Sequence, residues 1–136
     1  REWGLEKEVT YHGKLDRPRK LEFLRSLDMF VTPAVYDDPK GLPVLEAMAC
    51  GCAVVGTDVP GIREIINHEE NGLLVGEDPG ELRAALRRIL ADKELRGKLA
   101  GAARKWVKQT HSLESAVNSE WQTYSALFGS ADMRVS

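Results

Sequence analysis

No apolar run in this 136-residue chain approaches the roughly 20 residues that a membrane-spanning helix requires. Nor does the N-terminus show the basic, apolar and small-residue order of a secretory signal peptide. The chain opens on Arg1 rather than on methionine, as expected of a piece cut from a longer protein. Charge of one sign is also missing: 19 Lys and Arg against 21 Asp and Glu leave a net charge of −2. That balance gives no whole-protein case for a nucleic-acid partner or an anionic membrane surface. Cysteine is scarce. The two residues, Cys50 and Cys52, flank one glycine, and a disulfide across that spacing would be strained. A metal site would need further ligands, and His12, His68 and His111 are isolated in sequence. Both cysteines are therefore expected as buried free thiols, which suits a reducing cytosol. No internal repeat or low-complexity segment is present.

What is there is ordinary for a globular domain: 43% hydrophobic and 29% charged residues, in a chain long enough to bury one core. Residues 8–13 alternate and end in glycine, the pattern of a strand, and the loop after it runs over residues 13–16. Asp16 is a plausible cap for a helix over residues 18–27, with Leu21, Leu24 and Phe23 turned inward. Residues 29–32 read as the next strand, ended by Pro33. The loop 32–36 then leads into an acidic stretch, where Tyr36 is a candidate for the border of a pocket.

The residues from Tyr36 to Thr57, YDDPKGLPVLEAMACGCAVVGT, organise the rest. Pro39 biases Asp38 toward extended or turn geometry. Leu42 and Pro43 open a helix, where proline's missing N–H costs nothing. The helix covers residues 44–50, with Leu45, Met48 and Ala49 expected on one face, and Gly51 stops it. Residues 52–56 form an apolar run consistent with a strand buried on both faces. The turn leaves backbone N–H groups at Gly41, Leu42 and Val44 which, with the helix dipole, suit an anion such as phosphate. Asp38 and Glu46 flank that site, seven residues apart, and carboxylates accept hydrogen bonds from sugar hydroxyls. From spacing alone, the stretch reads equally as a helix-capping turn with a solvated Asp pair and a surface Glu.

Beyond it, residues 57–61 read as a Pro-Gly turn and residues 62–67 as a short helix. Arg63 is a candidate phosphate ligand, although a surface ion pair with Glu64 or Glu69 is the simpler reading. Asn71-Gly72 is expected as a tight turn, followed by a buried strand over residues 73–75. Asp78 and Pro79 introduce a helix over residues 80–91 with Leu82, Ala85, Leu86 and Ile89 inward. Residues 92–107 form another helix whose basic outer face (Arg96, Lys98, Arg104, Lys105, Lys108) reads as solvated. A last helix covers residues 113–127, with Ser112 as candidate cap. Strands alternating with helices predict an α/β fold with a doubly wound parallel sheet covered on both faces.

The central stretch resembles the signature of family-4 (group 1) glycosyltransferases of the GT-B fold: an acidic residue, seven residues, then Glu46-Ala47-Met48-Ala49 before a small-residue turn and a strand. The likeness continues through Val54-Val55-Gly56-Thr57-Asp58, Pro60-Gly61-Ile62-Arg63-Glu64-Ile65-Ile66 and Asn71-Gly72-Leu73-Leu74-Val75. One position departs from it: the family usually has Glu where this chain has Asp38. The resemblance implies that residues 1–128 are the Rossmann-like, nucleotide-sugar-binding C-terminal domain, incomplete at its N-terminus, with 129–136 a disordered tail. It implies a retaining hexosyltransferase taking a UDP- or GDP-sugar donor, with no cofactor. No metal is expected, because helix N–H groups and basic side chains neutralise the leaving diphosphate.

By the same resemblance Asp38 is the catalytic residue, contacting the donor sugar. Gly41 and Leu42 offer backbone N–H groups to the diphosphate, Pro43 belongs to the same donor-binding turn, and Glu46 binds the ribose. Gly13 and Leu15 lie against the base, and Gly61 approaches the sugar-phosphate. The expected partners are the nucleotide-sugar and an N-terminal acceptor domain of the same protein. Without that domain the piece is expected to be inactive, and its aromatic last helix lacks a packing partner. The expected location is cytoplasmic, or peripheral at the inner membrane face. Two other readings stay open: a non-catalytic GT-B-like binding module, and a GT-B phosphorylase or epimerase.

Overall fold

In the computed structural model, which describes residues 4–34 and 41–128, three strands form one parallel sheet. They are Met29–Thr32 (β1), Ala53–Thr57 (β2) and Leu73–Val75 (β3), in the order β1-β2-β3. Met29 lies opposite Ala53, and Val55 opposite Leu73. Parallel neighbours need long crossovers, and helices supply them. In chain order the helices are Arg17–Ser26 (α1), Leu42–Ala49 (α2), Pro60–Arg63 (α3), Pro79–Ala91 (α4), Lys93–Thr110 (α5) and Leu113–Phe128 (α6).

All five residues of β2 are buried. Successive side chains of a strand point to opposite faces, so β2 feeds two cores. Val54 packs in a cluster with Leu24, Val44, Met48, Ile62 and Ile66. Ala53 and Val55 pack with Leu73, Ile89 and Leu99. Thus α1, α2 and α3 cover one face and α4 the other, while α5 serves both, through Leu99 on one side and Ala103 on the other. This is the expected α/β arrangement.

The helix starts follow their capping residues. The Asp16 carboxylate accepts from the Arg19 N–H at 3.0 Å, Asp78 from Gly80 at 3.1 Å, Asp92 from Leu95 at 2.9 Å, and the Ser112 hydroxyl from Ser115 at 3.1 Å. Helix α2 ends in a Schellman motif. Gly51 has φ +85°, its N–H donates to the Met48 carbonyl at 3.0 Å, and Cys52 donates to Ala47 at 3.0 Å. That closure turns the chain straight into β2.

Several expectations change. Residues 8–13 form no strand. Their alternation has no buried face, since Val9 is 67% and Tyr11 93% exposed, and a strand without a partner is not stable. The inward face of α2 is Val44, Ala47 and Met48, while Ala49 is exposed. Helix α3 spans Pro60–Arg63 rather than 62–67. Pro60 starts it, and the Asn67 N–H that a longer helix would use donates instead to Asn71 Oδ1 at 2.8 Å. The tight point of the following turn is Glu69, with φ +66°, and not the Asn-Gly pair. Asn71 is buried and also donates to the Ile65 carbonyl at 3.1 Å.

Both cysteines are free, but only Cys52 is buried; Cys50 is half-buried. Burial, and then the neighbouring Cys50, push the Cys52 thiol above its ordinary pKa, and Cys52 Sγ donates to the Leu24 carbonyl at 3.1 Å. On α6, Leu113, Val117, Trp121 and Tyr124 are at least half exposed, with 83% for Leu113. The described helices include none long and apolar enough to cross a membrane.

Asn71→Ala strips a partner from the Asn67 N–H and from the Ile65 carbonyl at once. Urea unfolding is expected to show a loss of about 1–3 kcal/mol. An unchanged midpoint would mean that the turn is held by backbone alone.

Candidate functional site

The three strands end on one edge of the sheet, and in open parallel sheets that edge is where ligands bind. Tyr36, Asp37 and Asp38 come between β1 and α2 in sequence and lie outside the described residues. The structure resumes at Gly41, the N-cap of α2, in left-handed geometry with φ +50° and ψ +25°. Its carbonyl accepts from the Val44 N–H at 3.0 Å and the Leu45 N–H at 3.1 Å. The anion cradle is therefore smaller than the sequence suggests, because Val44 has already spent its donor. The Leu42 N–H has no partner among the described residues, and the Leu42 side chain is 56% exposed.

Gly41 is required twice over. Its φ lies in the region that L side chains avoid, and a Cβ there would strike Ile65 Cδ1 and stand 3.8 Å from the Gly61 carbonyl. The start of α2 is thus seated against the first turn of α3, where Gly61 is buried. Gly41, expected at the diphosphate, and Gly61, expected near the sugar-phosphate, are brought together in this way.

One turn further on, Glu46 faces α1. Lys20 Nζ donates to Glu46 Oε1 at 2.7 Å, with both side chains about 40% exposed. Beside this pair lies a cleft of about 320 Å³, within the range of small-molecule sites. Gly13, Leu15, Pro43 and Glu46 line it, all expected from sequence, together with Lys20 and an apolar wall of Phe23, Leu24 and Phe30. The His12 ring tilts over Phe23 at 4.7 Å between centroids. An apolar slot with a carboxylate and an ammonium at one end accommodates a flat ring joined to hydroxyls. Residues 13–15 reach the cleft as an irregular segment rather than as the loop after a strand.

Sequence reasoning missed Lys20, and treated Phe23 as core and Phe30 only as a strand residue. The basic run Arg17 to Lys20 was the only signal available. A second, smaller cavity of about 220 Å³ lies along the sheet edge between Thr57, Gly76 and Glu77. Near it Asp78 is taken up by capping α4, and Glu81 Oε2 accepts from the Gly76 N–H at 2.7 Å.

Other polar candidates have structural partners. Arg63 Nε donates to Asp58 Oδ1 at 2.7 Å, not to Glu64 or Glu69, and the Asp58 carboxylate raises the Arg63 pKa. Glu69 pairs with Arg88, whose guanidinium holds its carboxyl below the usual range. His68 Nδ1 accepts from the Leu74 N–H at 2.9 Å. The His111 ring stands 4.9 Å from that of Trp106. Among the described residues no three His, Cys, Asp or Glu side chains converge.

Residues 1–106 match the family model for glycosyl transferases group 1. Among solved structures, sucrose-phosphate synthase from Thermosynechococcus elongatus is 34% identical with a TM-score of 0.83, over 93% of this chain and 32% of that one. HepE of Anabaena, in complex with UDP, is 25% identical with a TM-score of 0.81, over 90% of this chain and 34% of that one. The C-terminal domain of a group 1 glycosyl transferase, LpcC of Francisella tularensis, is 32% identical with a TM-score of 0.73, over 81% and 57%. The chain spans about a third or less of the length of the curated relatives it matches.

Gly41→Ala combines a strained φ with a collision against Ile65. It is expected to cost about 1–3 kcal/mol in urea unfolding. Wild-type stability in that variant would show that the start of α2 is not held as described.

Proposed function

This chain belongs to the group 1 glycosyl transferases, as part of the C-terminal domain of a GT-B enzyme, and from that premise we propose that it is the donor-binding part of a retaining hexosyltransferase using a nucleotide-diphosphate sugar. One observation carries the reading: the cleft that gathers Gly13, Leu15, Pro43 and Glu46 against the first turn of α2. The base enters between residues 13–15 and the Phe23–Phe30 wall. Glu46 accepts the ribose hydroxyls. Lys20 occupies one of its oxygens, and the other is left for the ligand. That HepE was solved with UDP supports UDP as donor nucleotide, with GDP the alternative.

The diphosphate then lies at the start of α2. There the Leu42 N–H and the helix dipole stabilise charge as it develops on the leaving group. Asp38, on the loop just before, contacts the donor sugar and helps to position the reacting carbon. Gly61 approaches the sugar-phosphate from the α3 side. In this reading backbone donors and cations balance the leaving diphosphate without a bound metal. The acceptor is bound by the rest of the protein, whose N-terminal domain covers the apolar stripe of α6, so this chain alone does not transfer sugar. Two free thiols support a cytoplasmic site of action.

Calorimetric titration of the chain with UDP, GDP and ADP tests the reading. One nucleotide is expected to bind, and Glu46→Ala to weaken it about tenfold or more, as for a charge-assisted hydrogen bond. Binding by none of the three, or equal binding by the variant, would sink the assignment. In the complete enzyme, Asp38→Ala is expected to depress kcat much more than it raises KM; unchanged turnover would remove Asp38 from the mechanism. Product analysis of the same enzyme separates transfer from phosphorolysis and epimerisation.

A further inference from the structure

Across the Lys20–Glu46 pair from the nucleotide cleft lies a larger groove of about 610 Å³. It runs between α1 and α2 and reaches α5. Its charged lining is Arg17, Lys20 and Arg25 of α1, Arg104 of α5, and Glu46 of α2. Leu21 and Ala49 supply its apolar lining. Arg17, Leu21 and Arg25 follow at intervals of four and so share one helix face. Glu46 is the one acid in the lining, and it is already paired with Lys20. Arg17, Arg25 and Arg104 have no carboxylate partner among the described residues.

The three exposed arginines come from two separate helices yet line one cavity of small-molecule size. Guanidinium forks match phosphate oxygens in bidentate geometry. Four cations against one carboxylate leave a net charge of +3 in the lining. Two phosphoryl groups bring roughly −3 to −4 near neutral pH.

We propose that this groove is a second anion site, distinct from the nucleotide cleft, which takes a small soluble molecule carrying two phosphoryl groups. The proposal does not depend on the nucleotide reading, since Arg17, Arg25 and Arg104 line the groove and not the cleft.

The test is calorimetric titration of the chain with inorganic pyrophosphate in low-salt, metal-free buffer. The wild type is expected to bind. Arg25→Glu and Arg104→Glu, each checked for fold by circular dichroism and paired with the milder Arg→Gln change, are expected to weaken binding about tenfold or more. Absence of pyrophosphate binding, or binding that neither substitution weakens, would overturn the proposal. Flotation with phosphatidylcholine vesicles containing phosphatidic acid separates the alternative source of phosphate. Vesicle binding that both arginine variants abolish, without binding of free pyrophosphate, would assign the groove to a lipid headgroup and overturn the soluble ligand.

Discussion

A strand buried along its whole length must be covered on both faces, and β2 imposes that constraint on everything around it. Each of its residues from Ala53 to Thr57 is buried, so apolar side chains must arrive from above and below. Apolar burial is the dominant favourable term in folding, and here it sets the crossover helices on opposite sides of a parallel sheet. Close approach follows as well. A Cβ on Gly56 would stand 2.7 Å from Ile62 Cγ2, and one on Gly72 would stand 2.7 Å from Val54 Cγ2. At both places glycine allows the chain to close over β2. The Schellman closure of α2 then ties the N-terminus of that helix to the ligand-facing edge, because α2 can only run back from the strand it leads into.

The Lys20–Glu46 pair stands where two cavities meet, since both residues line the proposed nucleotide cleft and the basic groove. Each side chain is about 40% exposed, and pairs at such exposure are worth about 0–1 kcal/mol. Fold stability therefore does not explain its presence. In the proposed role, a pair this weak lets Glu46 turn toward a ligand hydroxyl at small cost. By contrast, the buried Asn71 network, with bonds to both Asn67 and Ile65, is structural. It ends α3 and so holds Gly61 against Gly41.

Most of the fold was legible because the signals that specify it are local. β1 and β3 match their expected bounds, and β2 lies within a residue of its own; α1, α4 and α6 begin at the caps expected of Asp16, Asp78 and Ser112, and Asp92, read only as a helix residue, caps α5. A cap involves residues two or three apart, and a buried strand is a run of apolar residues. The family signature, with Glu46-Ala47-Met48-Ala49 at its centre, is contiguous in the same way. It named Pro43 and Glu46, and the wider resemblance named Gly13 and Leu15; the fold gathers all four around one cleft.

What the chain order could not show are meetings between distant segments. Lys20 and Glu46 are 26 residues apart, and Arg104 reaches the groove of α1 and α2 from α5. A basic residue on a helix surface reads as solvated until packing sets another beside it. The same limit explains the misjudged strand over residues 8–13: alternation specifies a strand only where a neighbouring strand and a core exist to receive it. Local backbone preference thus decided the elements, their ends and the chemistry-bearing residues. Packing around β2 decided which of those residues share a cavity, because burial acts between segments whatever their separation along the chain.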